Sequence, residues 1–124
     1  MSQLIAIAAG GAAGALLRYW VSNGVYGLLG RGFPHGTLVV NVLGSLVMGL
    51  LYVLFLERMT VAPEMRAGIL IGLLGAFTTF STFSIETLNL IEQADLFKAG
   101  LNILLSVVAC ILATWLGVSV ARQL

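Results

Sequence analysis

The sequence predicts an all-α integral membrane protein with four transmembrane helices. Three observations lead there: 60% of the 124 residues are hydrophobic and only 9% are charged, mean hydropathy is +1.07, and the apolar residues gather into four long runs. Soluble domains average about 25% charged residues, and a helix needs about 20 predominantly apolar residues to cross a bilayer. Net charge is +1 and no basic tract is present, which argues against nucleic acid or any other polyanion as a partner.

The first run covers about residues 4–27 and holds one charge, Arg18. No basic segment precedes it and no small-residue cleavage site leads into a soluble domain, so it is expected to be a span rather than a removed signal. The second, residues 37–56, has no charge and contains Asn41. The third begins near Ala67, ends near Ile91 and is interrupted by Glu86; the fourth covers residues 99–121. The connections at 28–36, 57–66 and 92–98 leave no room for a soluble domain, so residues 1–124 form one membrane domain. Pro34 and Pro63 fall in these connections, where a missing amide donor does least harm. His35, the sole histidine, is expected to be solvated in the Gly/Pro-rich first loop.

Several small residues stand four apart inside the spans: Gly10 and Gly14, Gly68 and Gly72, Ser45 and Gly49. That spacing lets helix backbones approach closely, so these faces are expected to meet other helices. The string from Gly10 to Gly14 also resembles a dinucleotide-binding loop, but neither a strand nor a following acid accompanies it. Cys110, the only cysteine, lies in an apolar run and reads as a buried, inert thiol.

Four spans put the N-terminus, the second connection and the C-terminus on one side, with Arg58, Arg66 and Arg122. Arg31 and Lys98 fall on the other side, with Arg18 inside the first helix toward it. The basic residues are so evenly divided that the positive-inside bias nearly vanishes. A chain without a preferred orientation can insert both ways, which predicts an antiparallel, dual-topology homodimer resembling the inverted repeats of transporters.

Polar residues in hydrocarbon are costly unless they are paired or line a path. Gly75-Ala76-Phe77-Thr78-Thr79-Phe80-Ser81-Thr82-Phe83-Ser84 concentrates hydroxyls and aromatic rings inside the third span. Phe80 and Phe83 are three apart and share a helix face, as do Thr79 with Thr82 and Ser81 with Ser84. Gly72 and Gly75 weaken the helix, and Thr78 and Thr79 can bond freed backbone groups, so a break near Gly75–Thr79 is expected. Carbonyls exposed at such a break suit a small hard cation such as Na⁺; the bland alternative is an intact helix with its hydroxyls bonded to the preceding turn. Asn41, and Asn102, Ser106 and Thr114 on one face of the fourth span, add further polar groups at depth. Each asparagine is also readable as an interhelical clamp.

No carboxylate stands at mid-depth, which argues for passive conduction over proton coupling. Hydroxyls and amides donate to anions, and the rims of Phe rings are electropositive. With Arg18 as the lone cation deep in a span, the combination favours a small anion over a cation.

The blocks Gly-Gly-Ala-Ala-Gly-Ala-Leu-Leu-Arg-Tyr (10 to 19), Gly-Thr-Leu-Val-Val-Asn-Val-Leu-Gly-Ser (36 to 45) and Gly-Ala-Phe-Thr-Thr-Phe-Ser-Thr-Phe-Ser-Ile-Glu (75 to 86) resemble the signatures of the Fluc (CrcB) fluoride channels. The resemblance covers nearly the whole chain. It implies a multi-pass protein of the cell (inner or plasma) membrane, an antiparallel dimer, passive fluoride export and a structural Na⁺ at the dimer centre. By resemblance, Phe80 and Phe83 are the phenylalanine pair whose ring edges face fluoride, and Asn41 is the pathway asparagine. Ser81, Thr82 and Ser84 match the hydroxyl track, Arg18 matches the arginine of the first helix, and Gly75 and Thr78 match the Na⁺-binding carbonyls. Ser106 and Thr114 are assigned to the pathway with them. Asn102 departs from the commoner pattern, since many members carry Tyr there. No protein partner beyond a second copy is implied.

Three other classes fit less well. A structural or assembly membrane protein would explain the small-residue faces but not the Phe/Thr/Ser run. A four-span multidrug transporter depends on an acid in the first helix, and Met1 to Gly30 contains none. An enzyme is disfavoured because no histidine pair, acid pair or nucleophile beside a base is present.

Overall fold

A computed structural model of the chain describes all 124 residues, and every regular element in it is helical. Four helices are long and apolar enough to cross a membrane: Ser2–Leu29, His35–Arg58, Pro63–Glu92 and Leu96–Gln123. Each extends two to four residues beyond the hydropathic run at one or both ends, because capping and loop contacts, not apolarity, decide where a helix stops. His35 is accordingly the first residue of the second helix, not a solvated loop residue; its ring lies 5.1 Å from that of Phe33 and the side chain is half-buried.

The helix ends follow local chemistry. Gly30 closes the first helix at φ 79°, a conformation that only glycine adopts cheaply, and its amide bonds the Tyr26 carbonyl. Pro63 opens the third span, where its missing donor costs nothing. Asp95 caps the fourth helix by accepting from the Lys98 amide.

Two wide π-helical turns, Leu54–Arg58 and Ala67–Leu73, flank the second connection. Hydropathy does not reveal them, because one extra residue per turn leaves composition unchanged. The third span then runs as Leu74–Phe77, breaks at Thr78 and Thr79, and resumes as Phe80–Glu92. Both break residues are extended, with φ/ψ of −83°/156° and −152°/114°. The expected interruption near Gly75–Thr79 is therefore present.

Small residues weld the bundle. A Cβ on Gly10 or Gly14 would run into the carbonyl of Gly68 or Leu73, so the first helix meets the upstream half of the third span backbone to backbone. A Cβ on Gly49 or Gly117 would likewise meet the carbonyl of Thr114 or Leu46, which fixes the second helix on the fourth. Contact this close lets dispersion, not the hydrophobic effect, hold helices together in lipid. Only 21 of the 124 residues are buried, and Trp20, Ile71, Phe97, Ile111 and Trp115 point outward, the arrangement an apolar solvent favours.

The two ends of the bundle are distinct. Ser2 donates to Glu64, Arg122 pairs with Glu57 at 3.5 Å, and Arg58 bonds the Arg122 carbonyl, so the N-terminus, second connection and C-terminus meet at one end. At the other end Lys98 reaches the Gly32 carbonyl at 3.1 Å. This is the two-ended distribution expected from the charges.

Candidate functional site

The site grows from the break. Asn41, on the second helix, receives the Thr79 amide on Oδ1 at 2.8 Å and donates Nδ2 to the Thr79 carbonyl at 3.1 Å. Its amide thus replaces the helix partners that the break removes. Gly44 makes room one turn along, since a Cβ there would overlap the Thr78 methyl group. Thr78 turns its hydroxyl back onto the Leu74 carbonyl at 3.0 Å. Thr79 caps the downstream half, accepting from the Thr82 amide and donating its own proton to Thr82 Oγ1 at 2.9 Å.

These bonds have a consequence for two carbonyls. In an unbroken helix the Thr79 amide would bond to Gly75 and the Thr82 amide to Thr78. The first goes to Asn41 and the second to the Thr79 hydroxyl, so both carbonyls lose their helical donors. Neutral oxygens released in this way suit a monovalent hard cation such as Na⁺. Gly75 is exposed, and two carbonyls from one chain leave such an ion short of ligands.

Beyond the break, Phe80 and Phe83 stand with ring centroids 5.3 Å apart and planes tilted by 47°. Phe80 is 77% exposed and Phe83 only 9%. They border a crevice of about 410 Å³ whose wall also includes Asn41, Thr78, Ser106 and Thr114, and no charged residue. A second cavity, about 310 Å³, is lined by Arg18, Ser22, Thr37, Thr79 and Thr82. Thr79 belongs to both walls.

The residues singled out from the sequence therefore fall into two groups separated by Thr79. Asn41, Phe80, Phe83, Ser106 and Thr114 share the first cavity; Arg18 and Thr82 share the second. Ser81 and Ser84 line neither: both are exposed, and Ser84 donates to the Phe80 carbonyl. Most hydroxyl protons are spent within the protein, Thr114 on the Ser45 carbonyl and Ser106 on Asn102 Oδ1. Asn102 is buried and donates to Thr87 Oγ1 at 2.9 Å, the clamp arrangement. One N–H of Asn41, the Thr82 hydroxyl proton and the Arg18 guanidinium make no hydrogen bond within the chain and are free to donate.

Two site residues escaped the sequence reading. Cys110 was expected to be buried and inert, yet it is half-buried on the wall of the first cavity. The spacing of Ser106, Cys110 and Thr114, four apart on one face, is the signal that could have placed it. Tyr26 is the other; its phenol donates to Glu86 Oε2 at 2.5 Å, and no sequence pattern links residues so far apart.

A helical bundle with an outward apolar surface, four helices long enough to span and an uncharged crevice at a broken span has the build of a multi-pass membrane protein. The chain belongs to the CrcB family: the family model described as CrcB-like protein, Camphor Resistance (CrcB), matches residues 5–118. Three relatives, each named fluoride-specific ion channel FluC, illustrate the likeness. The protein of Geobacter sulfurreducens is 49% identical over the full length of both chains, and that of Magnetococcus marinus 54% identical over 97% of this chain and 98% of its own. That of Methylococcus capsulatus is 62% identical over 98% of this chain, which spans only 54% of its length. These relatives are ion channels, not enzymes.

Proposed function

We propose that this chain is a passive, fluoride-selective channel of the cell (inner or plasma) membrane, working as an antiparallel homodimer. The observation that carries the reading is the uncharged crevice at the Asn41-pinned break, bordered by the Phe80–Phe83 pair. Fluoride is small and strongly hydrated, so a pathway must replace its water with donors at short range, as carbonyls do for cations in other filters. The electropositive rims of Phe80 and Phe83, with the free N–H of Asn41, supply such donors, and selectivity would require that pairing with a second copy narrow the crevice against larger anions. The Arg18 guanidinium raises anion concentration in the neighbouring cavity, and the Thr82 hydroxyl adds a donor there.

A bound Na⁺ at the dimer centre would rigidify the two breaks against each other. The carbonyls of Gly75 and Thr78 in each copy would hold it, a second copy making up the ligand set that one chain lacks. Export follows from weak-acid chemistry: neutral HF crosses membranes and dissociates in the more neutral cytoplasm. The trapped anion then leaves down its electrochemical gradient without ATP or a proton relay.

Liposomes carrying the purified protein are expected to release fluoride and retain chloride, and Phe80→Ile or Phe83→Ile to slow the release. Wild-type vesicles that release no fluoride above the protein-free leak would overturn the channel reading. Antiparallel pairing is read separately: with Cys110 replaced by serine, cysteines at Ser2 of one copy and Lys98 of another should crosslink. Crosslinks formed only between identical ends would mean a parallel pair.

A further inference from the structure

At the end of the bundle opposite the N-terminus lies a third cavity, of about 380 Å³, whose wall includes Tyr26, Arg31, Glu86, Asp95 and Lys98. Its inner boundary is built from three oxygens. Tyr26 Oη lies 2.5 Å from Glu86 Oε2 and 3.4 Å from Thr37 Oγ1. A phenol has one proton, so Tyr26 gives it to the carboxylate and accepts the Thr37 hydroxyl. Thr37 lines the Arg18 cavity, whereas Tyr26 and Glu86 line the outer one. The chain of hydrogen bonds thus spans the partition between the two.

The phenol is held firmly. Gly36 lets the ring lie against the start of the second helix, where a Cβ would overlap it, and the Arg31 guanidinium covers the ring at 4.5 Å from its centroid. The carboxylate is held by the phenol alone. Tyr26 is the only protein donor to Glu86, and the other carboxylate oxygen, Oε1, is buried with no partner. Lys98 is engaged with Asp95 at 3.6 Å and with the Gly32 carbonyl, so it does not neutralise Glu86.

We propose that Tyr26 is a positioning residue of the conduction route, holding the Glu86 carboxylate on the outer side of this partition and away from the Arg18 cavity. The inference rests on the anion-channel reading above. Without the phenol hydroxyl, Glu86 loses its donor and Thr37 its acceptor in the same event. The freed carboxylate then takes the Thr37 hydroxyl and carries a fixed negative charge toward Arg18. It repels the permeating anion and gives the guanidinium a protein counter-charge.

The test uses full-length protein in liposomes, with fluoride release compared among wild type, Tyr26→Phe and the double variant Tyr26→Phe/Glu86→Gln. Tyr26→Phe is expected to slow release about tenfold, on the scale of one charge-assisted hydrogen bond. The double variant is expected to recover most of the wild-type rate, because a neutral amide cannot repel the anion. A purely structural role predicts no recovery, since the double variant also lacks the original hydrogen bond. Unchanged release by Tyr26→Phe, or a double variant as slow as the single, overturns the proposal. Thermal midpoints in detergent are measured for both variants. Because both lack the original hydrogen bond, faster release by the double variant at a similarly lowered midpoint supports the proposal, and release that merely tracks the midpoint overturns it. Wild-type vesicles that release nothing count against the channel reading itself, whereas conducting wild type with indifferent variants counts against Tyr26 alone.

Discussion

Upstream of Thr78, the third span buries glycine backbone against the first helix; downstream of Thr79, it presents phenylalanine rings and hydroxyls to open cavities. The upstream half has almost no side chain at its contact, so its position is set by backbone meeting backbone. The downstream half is joined to it through two extended residues and is pinned at the junction by one side chain, Asn41. A close-packed anchor and a polar, cavity-lining arm have thus been made from one span by changing what fills the contact. Polar groups that would be costly in a continuous apolar helix are tolerable where a neighbour has already satisfied the broken backbone.

The largest effect is expected at the anchor. Gly14→Leu drives a side chain into the Leu73 carbonyl and is expected to cost about 3 kcal/mol, the upper range for overpacking. Thermal unfolding in detergent should show a large fall in midpoint. An unchanged midpoint would mean that the two backbones are not in contact. A smaller, more local effect is expected at the junction. Asn41→Leu keeps the approximate shape but strands the Thr79 amide and carbonyl, at a cost of about 1–2 kcal/mol. Hydrogen exchange should quicken at Thr79 while the amides of residues 67–73 stay protected. If both regions loosen together, anchor and arm are one cooperative unit and the distinction fails.

Much of this architecture was legible in the sequence, for identifiable reasons. Span number follows from apolar length, which the bilayer fixes. The break follows from Gly72, Gly75 and two adjacent threonines, a local signal that needs no tertiary knowledge. The glycine seams follow from four-residue spacing. The π-helical turns were not legible, because they alter register without altering composition. Division of the polar residues between two cavities was hidden as well: Thr79 and Thr82 share a face by period, but which cavity each hydroxyl borders depends on where the second helix lies. Cys110 is half-buried, not buried, because in lipid an apolar run covers every side of a helix and apolar neighbours in sequence do not imply burial. Tyr26 and Glu86, sixty residues apart, meet only through the fold.

The order of packing along the chain bears on how the protein is made. All three connections are short, running from Gly30 to Pro34, from Met59 to Ala62 and from Gln93 to Asp95, so each span enters the membrane beside the one before it. Yet the glycine seams join the first span to the third and the second to the fourth. Neither of these backbone seams joins consecutive spans. The small-residue face of the first span stays uncovered until the third has been synthesised, and that of the second until the fourth. A chain cut short within the third span would therefore leave the glycine faces of the first two spans without the backbones they fit.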